Sequence, residues 1–324
     1  MNQINVTPIG FESLGVRSMC TYVETPDLRV LIDAGVALGP RFRLLPHPRE
    51  YRARNECRKK IRDCAARADI IVVSHYHNDH HTPNYTETVW LGCSLEESEQ
   101  IYKDKIVLMK DIRNTINFNQ RRRGWMFQRF VKKLGSRCEI ADGQTFQYGR
   151  TKLKISEPVP HGEEESQLGW VLMTTVGYDD EKMTHSSDVQ GPMARSTAGM
   201  ILKGKPDLIV LGGPPLYLEG VKVEKASITK GLENAARVAA KVPTVIFEHH
   251  LLRSGNSREK AQSVYEAAAE ANHRVLSASD YLGCESQLLE CNRERLYKEE
   301  PPSDEFVKWT KLPRDKRSMQ LPPV

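Results

Sequence analysis

Residues Ile70 to Val73, IIVV, form a short apolar β-branched run bounded by polar residues, and they lead directly into SHYHNDHH, residues 74–81. Such a run reads as a strand covered on both faces, because a strand with one wet face alternates apolar with polar side chains. Four of the chain's ten histidines then fall within seven residues at the C-terminal end of that strand: His75, His77, His80 and His81, with Asp79 among them. In an extended or gently turning loop, side chains two apart share a face. His75 and His77 therefore converge on one point, while Asp79 and His80 turn toward a neighbouring one. Neutral imidazole and carboxylate are natural ligands of zinc and related first-row metals, and His-rich sites with an open position are catalytic rather than structural.

The rest of the chain supplies layers around this strand. INVTPIGF, SMCTYVET and LRVLIDAG carry β-branched and aromatic residues and are separated by Gly- and Pro-containing breaks, so they read as strands. Residues 51–68 contain neither Gly nor Pro and predict a charged surface helix. KIVLMK, CEIADG, TFQYG, TKLKISEPV and LGWVLMTTVGY read as further strands. KPDLIVLGG and PTVIFEHH do too, each followed by a helix-like stretch, SITKGLENAARVAAK and SREKAQSVYEAAAEAN. A strand-dominated first half and an alternating second half predict an α/β chain with two sheets face to face and helices outside, as one domain over residues 1–295. The tail, 296–324, with Pro301, Pro302, Pro313, Pro322 and Pro323, reads as irregular, with Phe306 and Trp309 as anchors for part of it.

At 324 residues the chain is long enough to bury a sizeable core. No apolar run approaches the roughly 20 residues of a membrane span. The start, MNQINVTPIG, has neither the basic opening nor the apolar core of a signal peptide, and a cytoplasmic protein without a membrane partner is expected. The seven cysteines are scattered without a CxxC pair, which argues against a disulfide framework and a cysteine zinc site. The net charge of +5 is unevenly spread. Ten Lys and Arg face three acids between Arg41 and Arg67, and ten face two between Lys103 and Lys133. Such clusters suit an anionic substrate or partner, or are the solvated faces of surface helices.

HYHNDH fits the H-x-H-x-D-H signature of the metallo-β-lactamase fold superfamily, and the resemblance extends along the chain. LIDAG, residues 31–35, resembles the strand and turn before the signature, whose aspartate supports the site. PVPHG places His161 after a strand, HSSDVQGP places Asp188 after another, and FEHHLLRS ends the next with His249 and His250. On RRRGWMF, PVPHGEE, SSDVQGP and EHHLLRS the chain resembles an uncharacterised archaeal group of predicted metal-dependent hydrolases with this fold. The resemblance implies a four-layered αββα sandwich and two divalent metal ions, zinc first, with iron and manganese admissible. It implies that His75, His77 and His161 hold one ion, that Asp79, His80 and His249 hold the other, and that Asp188 bridges them. His250 is the alternative last ligand. Asp79, His185 and His250 are expected to share in catalysis, His185 and His81 by orienting ligands or donating protons.

Proteins resembling this family cleave lactams, thioesters, lactones and phosphodiesters, and some oxidise instead. RRRGWMFQRF interleaves Arg121, Arg122 and Arg123 with Trp125, Phe127 and Phe130. Arginines beside aromatics suit a nucleic acid or nucleotide, or else the segment is an amphipathic helix with its aromatics on the core. A dinuclear hydrolase of a phosphodiester or nucleic-acid-like substrate is the leading expectation. A thioester or lactone hydrolase and a mononuclear iron thiol dioxygenase stand behind it, and a non-enzymatic nucleic-acid-binding module is last because every ligand position is filled.

Overall fold

The computed structural model describes all 324 residues. The first sheet runs in chain order: β1 (Asn5–Gly10), β2 (Cys20–Glu24), β3 (Arg29–Ile32), β4 (Ile70–Val73), β5 (Ile106–Met109) and β6 (Arg137–Ile140). The second holds β7 (Thr145–Tyr148), β8 (Thr151–Ile155), β11 (Thr174–Tyr178), β12 (Glu181–His185), β13 (Leu208–Gly212), β14 (Thr244–Glu248) and β15 (Arg274–Leu276), in the spatial order β15-β14-β13-β12-β11-β8-β7. A short pair, β9 (Val159–Pro160) and β10 (Trp170–Val171), stands apart. The sequence segments TKLKISEPV and LGWVLMTTVGY are therefore each split between two strands.

Side-chain alternation builds the layers. Ile70 and Val72 point into the core between the sheets, where they meet Val30, Ile32 and Leu108 and, from the second sheet, Leu153, Val176, Met183, Val210 and Ile246. Ile71 and Val73 point the other way and pack with Tyr51, Ile61 and Phe127, from α1 (Pro48–Arg67) and α3 (Phe118–Lys133), which lie on either side in sequence of α2 (Leu95–Tyr102). On the far face of the second sheet, Ile209, Leu211, Val245 and Phe247 pack against Ile228, Leu232, Ala235 and Val264. The first three of those come from α5 (Lys225–Ala239), which follows α4 (Arg195–Gly204), and Val264 comes from α7 (Gln262–Glu270), which follows the short α6 (Ser257–Lys260). Three apolar layers between four layers of structure give the αββα sandwich. Each buried aliphatic side chain contributes about 1.5–3 kcal/mol to holding it together. No helix is long and apolar enough to cross a membrane.

One expectation holds in part and another needs correction. The charged surface helix over residues 51–68 is there as α1, with Arg52, Glu56, Lys59, Lys60, Asp63 and Arg67 exposed, but two of its arginines do not face water. Arg54 is buried and donates to the carbonyls of Thr88 and Val89, and Arg58 is buried against Glu97 at 2.9 Å and Thr82 at 3.2 Å. The tail is not irregular. After α8 (Ala278–Leu282) come α9 (Arg293–Glu299), α10 (Asp304–Thr310) and α11 (Arg314–Ser318). Phe306 and Trp309 are buried with ring centroids 5.8 and 5.7 Å from Tyr51 of α1.

Candidate metal centre

The strand ends of both sheets meet at one edge of the sandwich. β4 ends in Ser74 and the histidine loop, β9 in His161, β12 in the Asp188 loop, and β14 in a 3-10 turn over His249–Arg253. The loops approach so closely that a Cβ on Gly35, in the LIDAG turn, would stand 2.2 Å from the backbone nitrogen of His81. Only glycine fits there. Asp33, Ser187, Gln190 and His249 have positive φ of 54°, 57°, 53° and 64°, a conformation that costs non-glycine residues energy and is held by the surrounding structure.

Ligand atoms of His75, His77, His161 and Asp188 lie within 4.8 Å of one another, as do those of Asp79, His80 and His249, and those of Asp188, His249 and His250. All seven residues singled out as ligands from the sequence are thus brought together. In four of the five ligand histidines, His75, His80, His161 and His249, the ring nitrogens divide into two sets. The Nδ1 atoms have partners: Ser74 and Ser187 hydroxyls at 3.0 and 3.4 Å for His75, Asp33 at 2.8 Å for His80, Gln190 at 3.3 Å for His161, and Glu12 and Arg253 at 3.3 Å each for His249. The Nε2 atoms of His75, His80, His161 and His249, with Oδ1 of Asp188, are buried and have no hydrogen-bond partner. His161 Nε2 is 2.9 Å and His249 Nε2 3.3 Å from Oδ2 of Asp188, yet neither is aligned to donate to it. Buried polar atoms left open in this way are costly, and donors aimed at a common point with their outer nitrogens fixed are what a metal site requires.

The charges fit the same chemistry. Burial, reinforced by neighbouring histidines, pushes His75 well below the usual imidazole range and His77 down to about 3, so both are neutral. Burial alone would raise Asp79 and Asp188, but the surrounding imidazoles, and for Asp79 also the Arg253 guanidinium, hold both carboxyls low and ionised. Asp33 is likewise held low against burial by His80. His80 and His249 are the exceptions. Burial opposes charge on both, yet Asp33 and Asp79 raise His80, and Glu12 and Asp188 raise His249 to about 10.

Three other histidines have distinct places. His250 lies with Nε2 3.0 Å from Asp188 Oδ2 and Nδ1 2.9 Å from the Tyr217 hydroxyl. His185 does not face the cluster: its Nε2 donates to the Met19 carbonyl at 2.8 Å and its Nδ1 accepts from the Ser187 amide at 3.2 Å. With both nitrogens on main chain, it braces the Asp188 loop and has none free to donate a proton, so of its two expected parts the proton donor is corrected. His81 bonds through Nδ1 to the His77 carbonyl and packs edge-on to Phe127.

The arginine-rich segment is the helix α3. Phe127 and Phe130 are buried in the core, whereas Trp125 is half exposed with the Arg129 guanidinium 4.7 Å from its ring centroid. Arg121, Arg122 and Arg123 are all exposed, and Arg123 is the one bonded to the histidine loop, donating to the Tyr76 carbonyl at 3.3 Å. Sequence reasoning missed Glu12, Ser74, Gln120, Gln190, Tyr217 and Arg253. Gln120 accepts from the Tyr76 amide at 3.2 Å, and buried Arg253 joins Glu12 at 2.7 Å to the Tyr217 hydroxyl at 3.3 Å. Ser74, Gln190 and Arg253 lie within the quoted SHYHNDHH, HSSDVQGP and EHHLLRS, next to or a few residues from a ligand; Glu12, Gln120 and Tyr217 lie outside those motifs.

No protein-family model matches the chain. It is 41% identical over 298 residues to a UPF0282 protein of Methanopyrus kandleri, covering 92% of this chain and 100% of the relative. It is 39% identical over 295 residues to a UPF0282 protein of Methanocaldococcus jannaschii, covering 90% and 96%. Among solved structures it is similar to the metallo-β-lactamase fold protein YhfI from Bacillus subtilis, with TM-score 0.52 and 14% identity over 85% of this chain and 96% of that one. It is also similar to an isothiocyanate hydrolase from Delia radicum gut bacteria, with TM-score 0.50 and 17% identity over 84% and 95%. The chain belongs to the archaeal UPF0282 family and has the metallo-β-lactamase fold.

Proposed function

We propose that the protein is a hydrolase dependent on two divalent metal ions and that its substrate is a phosphodiester. His75, His77 and His161 would hold one ion, Asp79, His80 and His249 the other, with Asp188 facing both. The observation that carries the reading is the division of ring nitrogens in His75, His80, His161 and His249: outer ones bonded, inner ones buried, open and convergent. Two ions bound there supply Lewis acidity toward a scissile phosphoryl group and acidify a water so that hydroxide exists near neutral pH.

The chain's own groups set the geometry. Asp33 takes the Ser74 amide at 2.8 Å, the Ser74 hydroxyl at 2.7 Å and His80 Nδ1 at 2.8 Å, so one buried carboxylate orients the strand end and one imidazole. The Ser74 and Ser187 hydroxyls are 2.7 Å apart and turned to His75, which removes them as nucleophiles. His250 holds one oxygen of Asp188, leaving the other open. Arg123 beside Tyr76 and Arg41, whose guanidinium stacks 4.4 Å from the Tyr217 ring, bring positive charge to the cluster, which favours an anionic substrate.

Elemental analysis after reconstitution with zinc, manganese or iron, joined to a screen of phosphodiesters, thioesters and lactones, tests the reading. About two ions per chain and turnover of phosphodiesters are expected, abolished by Asp188→Ala or His77→Ala with the circular dichroism spectrum unchanged. One ion per chain, or turnover confined to thioesters or lactones, overturns it.

A further inference from the structure

On the outer face of the second sheet, a groove of about 580 Å³ lies over β8, β11 and β12 beside the end of α4. We propose that this groove seats the phosphodiester backbone of a nucleic-acid strand, independently of base sequence. The proposal rests on the reading of the substrate as a phosphodiester and extends it to a separate surface.

The strand register sets the groove's floor. Lys152, Gly177 and Lys182 form one cross-strand row, and Lys154, Thr175 and Thr184 the next. Alternation turns Leu153, Val176 and Met183 inward to the core, so both rows face out. With strands spaced about 4.8 Å apart, the two lysines of the first row are about 10 Å apart across a glycine. Lys203, from α4, lines the opposite side. All four lysines are exposed and none makes an ion pair, while Glu157 is the one acid in the lining. Four unpaired ammonium groups around one concavity repel each other, and a bound polyanion relieves that repulsion.

Gly177 is a second, independent observation. A glycine inside a strand costs roughly 0.5–1 kcal/mol relative to alanine, and its usual reasons are positive φ or lack of space. Neither applies: its φ is not positive, and a Cβ there would meet nothing closer than 3.7 Å. What glycine does here is keep the floor between Lys152 and Lys182 low, as a close backbone approach by a ligand requires. The groove has no aromatic side chain for stacking on bases, so it reads phosphates and not sequence. Its course also fits a path to the metal centre. β8 and β12 flank β11, both antiparallel to it, and their C-terminal ends lead on to His161 and Asp188.

Fluorescence anisotropy with labelled uridine and mixed-sequence oligonucleotides tests the inference on the full chain without requiring catalysis. Equal affinity for the two sequences is expected. In the variant Lys152→Gln/Lys154→Gln/Lys182→Gln/Lys203→Gln, binding at about 0.1 M salt should weaken at least tenfold, and the slope of log affinity against log salt should fall by up to about 3. Gly177→Val leaves the charge unchanged and fills the floor, and it should also weaken binding several-fold. Unchanged binding in the quadruple variant overturns the proposal. So does loss in that variant with none in Gly177→Val, which would make the effect a general field. Preference for phosphatidylserine vesicles over oligonucleotides overturns the choice of nucleic acid. Hydrolysis of bis(p-nitrophenyl) phosphate by the metal-loaded protein should be the same in wild type and both variants. Its absence from wild type would count against the catalytic reading and leave the binding result standing.

Discussion

His250 Nε2 lies 3.0 Å from Asp188 Oδ2 and is aligned for a hydrogen bond, whereas the neighbouring His249 Nε2, 3.3 Å from the same oxygen, is not. The two adjacent histidines therefore do different things to one carboxylate. His250 is bonded at both nitrogens, between Asp188 and Tyr217; His249 presents a buried nitrogen with nothing to bond. His249→Ala should lose one metal ion per chain. His250→Ala should keep both ions and lose activity by about 10- to 100-fold, the usual effect of removing a partner that orients a ligand. Elemental analysis of both variants decides it, and equal metal loss would refute the division.

The charge on His249 gives metal binding a pH dependence. Burial works against protonation, but Glu12 and Asp188 hold its pKa at about 10 in the metal-free protein, above an ordinary value of 6.5. A pKa raised by folding stabilises the metal-free fold fully below about 6.5, and that contribution disappears as pH rises through about 10. An incoming ion must displace this proton, so the part of the affinity for the second ion that depends on His249 should rise by up to about tenfold per pH unit from neutral pH toward 10. Calorimetric titrations in buffers of different ionisation enthalpy should detect the proton released. Glu12→Gln should flatten the pH dependence, and a flat profile in the wild type would remove the argument.

Glu290 carries an acid-sensitive part of the stability. Burial alone would raise its pKa, yet the Arg17 guanidinium, paired with it through two bonds of 2.6 Å, holds it at about 2. A depressed carboxyl contributes stability above its unfolded value, near 4.5, and loses it as pH falls toward 2. The shift corresponds to something on the order of 3 kcal/mol at pH 7. Glu290→Gln should therefore melt well below wild type at pH 7, and the gap should narrow steadily between pH 4.5 and 2. A constant gap across that range would place the loss in packing instead.

The parts of the fold and site that were legible in the sequence are those whose partners are local. IIVV announces a strand covered on both faces, and His75, His77, Asp79 and His80 converge because they share one loop. Asp188 and His249 were found by the family resemblance, since each follows a recognisable strand. Glu12, Tyr217 and Arg253 meet over more than 200 residues, and no window of sequence holds that information. The burial of Arg54 and Arg58 is not legible because charge on a surface helix usually faces water, and their partners at Thr88, Val89 and Glu97 lie more than 30 residues away. The prolines of the tail suggested irregular chain, but Pro301 and Pro302 precede a capped helix, with Ser303 accepting from the Phe306 amide, and Pro is well tolerated at a helix start.

The arginines of α3 separate by direction. All three are exposed, but Arg123 donates to the Tyr76 carbonyl, next to His77, whereas Arg121 donates to the Arg113 carbonyl. A guanidinium beside the metal loops lowers the cost of bringing an anionic substrate there, whereas one on the solvent face is screened within about 10 Å at 0.1 M salt. Arg123→Ala should raise KM for a phosphodiester several-fold and reduce its salt dependence, with kcat little changed because the residue touches no ligand side chain. Arg121→Ala/Arg122→Ala should leave both constants within about twofold of wild type. Steady-state kinetics at two salt concentrations compares them, with a neutral thioester as the control that neither change should affect. If the Arg121/Arg122 pair carries the effect and Arg123 does not, the substrate approaches along the exposed face of α3, past Trp125, and not over the Tyr76 loop.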